Sequence, residues 1–207
     1  MLMWHSRGMD FEDVVHRRRM VRNYDPDRAV PPEVRERLLA NALHAPSAGF
    51  SQGWAFLVCE GQDEIGRFWS AATPEGGGTD RWSAGMRRAP LIIVPMSHKA
   101  AYLDRYAQPD KGWTDRDEAR WPAPYWHIDT GMATLLMLLT AVDEELGACF
   151  FGIPPERIEP FRSEFGVPEE YAPIGAITVG YRADDPASPS LRRGRRPVDE
   201  VVHRGHW

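Results

Sequence analysis

Residues 127–152 read HIDTGMATLLMLLTAVDEELGACFFG, and this stretch decides what kind of fold the chain can adopt. From Met132 to Val142 it is apolar almost without a break, with Asp129 ahead of it and Asp143, Glu144 and Glu145 behind. The run predicts a helix over 127–146 that Gly147 stops. It falls well short of the roughly 20 residues that a bilayer span requires, so it is a buried helix and not a membrane anchor. Because it is apolar almost all round, its own domain or a partner subunit must cover it.

Upstream, residues 102–126 mix many charges with Tyr102, Tyr106, Trp113, Trp121, Tyr125 and Trp126, and with Pro109, Pro122 and Pro124. A connection of that length is uncommon in a compact domain unless it is a lid or is disordered. The aromatics favour a lid. Further upstream, 54–60 and 90–97 read as strands, the second carrying LIIV and buried on both faces. A short helix over 63–72 lies between them, followed by a loop at Gly76–Gly78 that lacks the Lys-Ser/Thr of a phosphate loop. Nearer the start, a helix is predicted over 11–18. A second follows Pro31-Pro32, with Val34, Leu38 and Ala42 at helical spacing, and ends at Pro46-Ser47-Ala48-Gly49. Downstream come a short helix from Pro154-Pro155 to about residue 165, a strand over 174–181, and a basic tail over 191–207.

At 207 residues the whole chain, 1–207, fits one domain with a substantial core, with 102–126 inserted. The 43% hydrophobic and 27% charged fractions, together with eight tryptophans, exclude a disordered chain. A net charge of −5 gives no global attraction to nucleic acid or to an anionic membrane, so any basic site must be local. Cys59 and Cys149 are the two cysteines, too few for a disulfide framework or a four-ligand zinc set. The start, MLMWHSRGMD, has no apolar core of signal-peptide length, so the expected location is cytoplasmic. His203 and His206 lack the acidic partners of a metal site, and none is expected.

Two dense positive clusters stand out against the acidic background. HRRRMVRNYDPD supplies Arg17, Arg18, Arg19 and Arg22, and LRRGRRPVDEVV supplies Arg192, Arg193, Arg195 and Arg196, with Gly194 allowing close backbone approach. Guanidinium forks match the oxygens of a phosphate monoester. Between the clusters, APSAGFSQGW at 45–54 joins a helix to a strand through small residues that allow close approach to a flat ligand, with Ser47, Ser51 and Gln52 as polar contacts.

On these residues the chain resembles the nitroreductase family of FMN enzymes over nearly its whole length. Arg18-Arg19-Met20-Val21-Arg22 resembles the family's amino-terminal Arg-Arg-Ser-Val-Arg element, and Pro46-Ser47-Ala48-Gly49-Phe50-Ser51-Gln52-Gly53-Trp54 its Pro-Ser-Ala-Gly-Asn-x-Gln-Pro-Trp loop. Leu146-Gly147-Ala148-Cys149-Phe150-Phe151-Gly152 is similar to the stretch along one flavin face, and Gly194-Arg195-Arg196-Pro197 to the element that closes on the phosphate. Met20, Phe50 and Gly53 depart from the usual serine, asparagine and proline. The resemblance implies an α+β domain with a mixed central sheet flanked by helices, assembled as an intertwined homodimer with FMN at the interface. It implies FMN contacts from Arg18, Arg19, Met20, Arg22, Pro46, Ser47, Ala48, Gly49, Phe50, Gln52, Phe151, Gly152, Arg193 and Arg195.

The implied reaction passes hydride from NAD(P)H through FMN to a small nitroaromatic or quinone-like acceptor, with no dedicated protein acid or base. The chain has no G-x-G-x-x-G element after a strand, so NAD(P)H would be a visiting substrate. Trp113, Trp121, Tyr125 and Trp126 are the candidate substrate contacts. His127 is a candidate donor, weighed against a cap or packing role. Cys149 reads as a small buried residue beside the flavin. Three alternatives stay open: reductive dehalogenation or flavin fragmentation, a deazaflavin in place of FMN or as reductant, and a flavin-binding module without nicotinamide turnover.

Overall fold

The computed structural model describes residues 8–74, 81–186 and 188–207; the glycine run at 76–78 lies outside them. In chain order the helices are α1 (Phe11–Arg17), α2 (Pro32–Ala42), α3 (Gly61–Ala72), α4 (Arg81–Met86), α5 (Lys99–Tyr106), α6 (Tyr125–Asp143) and α7 (Ile158–Phe165). The strands are β1 (Trp54–Glu60), β2 (Leu91–His98), β3 (Gly147–Phe151), β4 (Tyr171–Pro173) and β5 (Ala176–Gly180).

The strands form one sheet in the order β1-β2-β5-β3, with β4 pairing the far end of β2. All of these pairs are antiparallel. The parallel component among the described residues is the isolated bridge between Met20 and Ala148. The expected α+β class with helices on the sheet is what the chain adopts. β2 is buried from Leu91 to Ser97, as its apolar run requires. Its alternate residues feed two cores, because successive side chains leave opposite faces of a strand. Ile92, Val94 and Met96 join Phe68, Trp69, Met86 and Phe161 on one face. Leu91 and Ile93 join Val34, Leu38, Met137 and Ala141 on the other.

α6 covers the second face, and no described helix is long and apolar enough to cross a membrane. Its inward side is fully used, with Ala133, Met137 and Ala141 at 0% exposure. The opposite side leaves Ile128 at 42% and Leu135 at 47% exposure, with Met132 and Leu139 half-buried, so one chain covers only part of this helix.

Residues 102–126, expected as one connection, begin inside α5 and end inside α6. Between the helices the chain is held by the ion pairs Arg105–Asp110, Arg116–Asp104 and Arg120–Asp115, and by Lys99–Glu118 across to the start of α5. Trp121 is the centre of the aromatic packing, with Tyr106 at 4.6 Å, Trp113 at 5.5 Å, Tyr125 at 5.7 Å and Trp126 at 6.2 Å between ring centroids.

Candidate functional site

Residues 18–24 run alongside β3, where the Val21 N–H donates to the Ala148 carbonyl at 2.9 Å. Val21 and Tyr24 are wholly buried, and the Tyr24 hydroxyl donates to the Val21 carbonyl at 2.6 Å, with the Thr178 hydroxyl 2.9 Å away. Burial pushes the Tyr24 phenol far above its ordinary range, so it stays protonated. Gly147 makes this pairing possible, since a Cβ there would lie 2.7 Å from the Val21 side chain. The anchored apolar residues leave the arginines on the outer side of this segment.

Arg18, Arg19 and Arg22 line a cavity of about 230 Å³ together with Asp185, Ser188 and Arg195. The two basic clusters, at opposite ends of the chain, therefore meet. Burial pulls the pKa of Arg182 down, and the neighbouring Arg19 and Arg17 add to the effect. A second cavity of about 610 Å³ shares Arg22, Asp185 and Ser188 with the first, and adds Asn23, Arg81, Trp82 and Arg88. Trp82 meets Phe151 edge-on at 5.8 Å, and Phe151 in turn stacks on Trp69 at 5.5 Å.

α4 brings Trp82 beside Arg22 only because Gly85 has no side chain, for a Cβ there would run into the Arg22 carbonyl oxygen. Gly85→Ala is accordingly expected to lose about 1–3 kcal/mol of stability, the scale of overpacking a tight contact, as read by urea denaturation. An unchanged midpoint would show that α4 can back away from Arg22.

The loop over 46–52 lines neither arginine cavity. It is clamped instead on α5 and α6. The Ala48 N–H and the Tyr102 hydroxyl both donate to Oδ2 of Asp129, each at 2.8 Å, and Arg105 Nε donates to the Gly49 carbonyl at 2.9 Å. Inside the loop the Gln52 N–H donates to Ser47 Oγ at 3.0 Å. Gly49, Phe50 and Gln52 all have positive φ, at 61°, 55° and 50°, which for Phe50 and Gln52 is strained backbone that the clamp must hold. Phe50 projects outward with 75% exposure. Gly53, where proline is common in the resembled loop, is explained by Tyr102, whose ring would lie 2.5 Å from a Cβ at that position.

Asp129 is 1% exposed. Asp129→Ala would strand the Tyr102 hydroxyl and the Ala48 N–H, at an expected cost of about 2–4 kcal/mol in thermal or chemical unfolding. A loss below about 0.5 kcal/mol would mean that water replaces the carboxylate.

Of the other expected residues, Met20 lines the smaller cavity, and its sulfur accepts from the Phe150 N–H at 3.4 Å. Gly152 and Arg193 are exposed and line neither arginine cavity. Cys149 is buried and its thiol is pushed up to about 11, mainly by burial, so it is protonated at neutral pH. Trp113, Trp121 and Tyr125 pack on one another or on their neighbours as described. Trp126 and His127 line a third cavity of about 600 Å³ with Ser97, Lys99 and Glu118. His127 Nδ1 lies 2.9 Å from Ser97 Oγ, and burial, then the charge of Lys99, lowers its pKa. Among the described residues no cluster of histidine, cysteine and carboxylates is arranged to hold a metal.

Sequence reasoning missed Arg81, Trp82, Arg88, Asp185 and Ser188. Arg81-Trp82 and Arg87-Arg88 bracket a short helix, and that basic and aromatic bracket was a readable signal. Nothing in the sequence marks Asp185 or Ser188.

The model of the Nitroreductase family matches residues 15–181. A Bacillus subtilis protein named as a candidate NAD(P)H nitroreductase is 37% identical over 222 aligned positions, covering 93% of this chain and 96% of that protein. A Methanothermobacter thermautotrophicus protein named as a candidate NADH dehydrogenase/NAD(P)H nitroreductase is 28% identical, covering 88% of this chain and 83% of its own. Among solved structures, a nitroreductase-type protein from Desulfovibrio desulfuricans in complex with FMN superposes with a TM-score of 0.71 at 23% identity, over 96% of this chain and 98% of that one.

Proposed function

Because the chain belongs to the nitroreductase family, and is an oxidoreductase of that family, we propose that it binds FMN and passes hydride from NAD(P)H to a small nitroaromatic or quinone-like acceptor. The observation that carries this reading is the meeting of Arg18, Arg19 and Arg22 with Arg195 in one small cavity that opens beside a larger one walled by Trp82. Four guanidinium groups around about 230 Å³ suit a phosphate monoester, and the larger cavity suits a flat ring system. FMN when bound supplies the hydride chemistry. The chain's own part is to bind and orient. Arg18, Arg19 and Arg195 would hold the phosphate, and Arg22, which lines both cavities, would supply fixed positive charge to the flavin.

The working unit is a homodimer. The exposed apolar side of α6 and the tail are its surfaces, since Val198, Val201, Val202 and Trp207 of the tail are all exposed in one chain. The clamped loop over 46–52, with Ser47, Gly49, Phe50 and Gln52, lines no arginine cavity of its own chain, and in the dimer it would complete the site of the second copy. Residues 102–126, with Trp113, Trp121, Tyr125 and Trp126, would cover the acceptor. Both cysteines are free and buried, which suits a reducing, cytoplasmic setting.

An absorbance spectrum of the purified protein, before and after anaerobic NADH or NADPH, tests the reading. Flavin bands that bleach are expected. Flavin bands that persist would point to a deazaflavin reductant or a binding role without turnover, and a colourless protein that takes up no FMN would overturn the reading.

A further inference from the structure

The arginine cavity contains its own anion. Asp185 lines both cavities, and its side chain is 9% exposed. Its Oδ2 accepts the Arg22 N–H at 3.1 Å and lies 4.0 Å from Arg19 Nη2, while its backbone carbonyl is 3.5 Å from the same Arg19 nitrogen. The Arg22 N–H and the Arg19 guanidinium are the kinds of donor that would meet a phosphate, and a protein carboxylate already holds one and neutralises part of the other. From the geometry we infer that Asp185 is a specificity-setting residue of this site. It ties Arg19 to the Arg22 backbone before flavin binds, and by standing as a like charge beside an incoming dianion it limits how strongly the site prefers a phosphorylated ligand.

The inference rests on the proposed phosphate site and deepens it. Two effects oppose each other at Asp185. Its hydrogen bond to Arg22 preorganises the strand, whereas its charge repels phosphate in a partly buried setting where screening is weak. Asparagine separates them, because its side-chain oxygen still accepts the Arg22 N–H while the charge is gone.

The experiment is to strip flavin from the wild type and from Asp185→Asn, and to titrate each full-length protein with FMN and with riboflavin by flavin fluorescence. Riboflavin has no phosphate, so the ratio of the two dissociation constants isolates the phosphate contribution. The expected result is an FMN preference over riboflavin that rises about tenfold in Asp185→Asn, and a wild-type preference that falls as salt is raised. An unchanged or smaller preference in the variant would overturn the inference and leave Asp185 as structural support. No preference for FMN over riboflavin in either protein would instead overturn the phosphate site itself. If Asp185→Asn does not fold, Asp185→Ser, which removes the charge together with the bond to Arg22, must still raise the ratio of riboflavin to FMN dissociation constants, and a ratio that stays or falls would overturn the inference.

Discussion

Arg18→Ala and Arg195→Ala are each expected to weaken FMN retention by about 1.5–3 kcal/mol, or roughly ten- to 150-fold in dissociation constant, the range of a hydrogen bond to a charged group. The two residues come from opposite ends of the chain and line the same cavity. Each loss should therefore appear against FMN and be nearly absent against riboflavin. Because both would touch one dianion, the double variant should fall short of the sum of the single effects. Arg193, two residues earlier in the tail and outside the cavity lining, provides the contrast, and alanine there should cost far less. Retention unchanged in both Arg18→Ala and Arg195→Ala would sink the phosphate site.

The second large effect is expected from Leu135→Glu. Leu135 is 47% exposed on α6, on the same side of the helix as exposed Ile128, while the opposite side is sealed in the core of its own chain. If that stripe is where two copies meet, an unpaired carboxylate there must be dehydrated on association, at a cost on the order of 3 kcal/mol or more. The variant should elute as a monomer at concentrations where the wild type is a dimer. It should also lose flavin, because the loop over 46–52 would no longer complete the second copy's site. A single chain should still fold, since Leu135 is outside the buried set. A variant that stays dimeric and keeps its flavin would place the interface elsewhere.

Local pattern was enough for most elements. Val34, Leu38 and Ala42 announced α2 by their spacing, and all three are buried where the spacing put them. The LIIV run announced a strand closed on both faces, and β2 is that strand. β3 was not legible as a strand, because Gly147-Ala148-Cys149 carries little strand preference of its own and is held by pairing with β5 and with residues 18–24. β4 is too short to show any periodicity. α5 was hidden inside a charged segment whose ion pairs form only once the chain has turned back on itself.

The site divides along the same line. The order of the motifs implied the fold class through the resemblance it carries, while residue type and spacing by themselves determined the buried helix at the centre and the two basic clusters with their small-residue loop, since they fix local charge and local conformation. Residue type and spacing alone do not say which arginines share a cavity; the motif resemblance grouped them around one phosphate, and the fold brings Arg18, Arg19, Arg22 and Arg195 together while Arg193 stays out of the lining. That pairing, the approach of Trp82 through Gly85, the clamp of Asp129 on a strained loop, and the carboxylate of Asp185 among the arginines were decided by tertiary structure. Each is a contact between residues far apart in the chain, and it exists only where packing of the two cores has brought their backbones together.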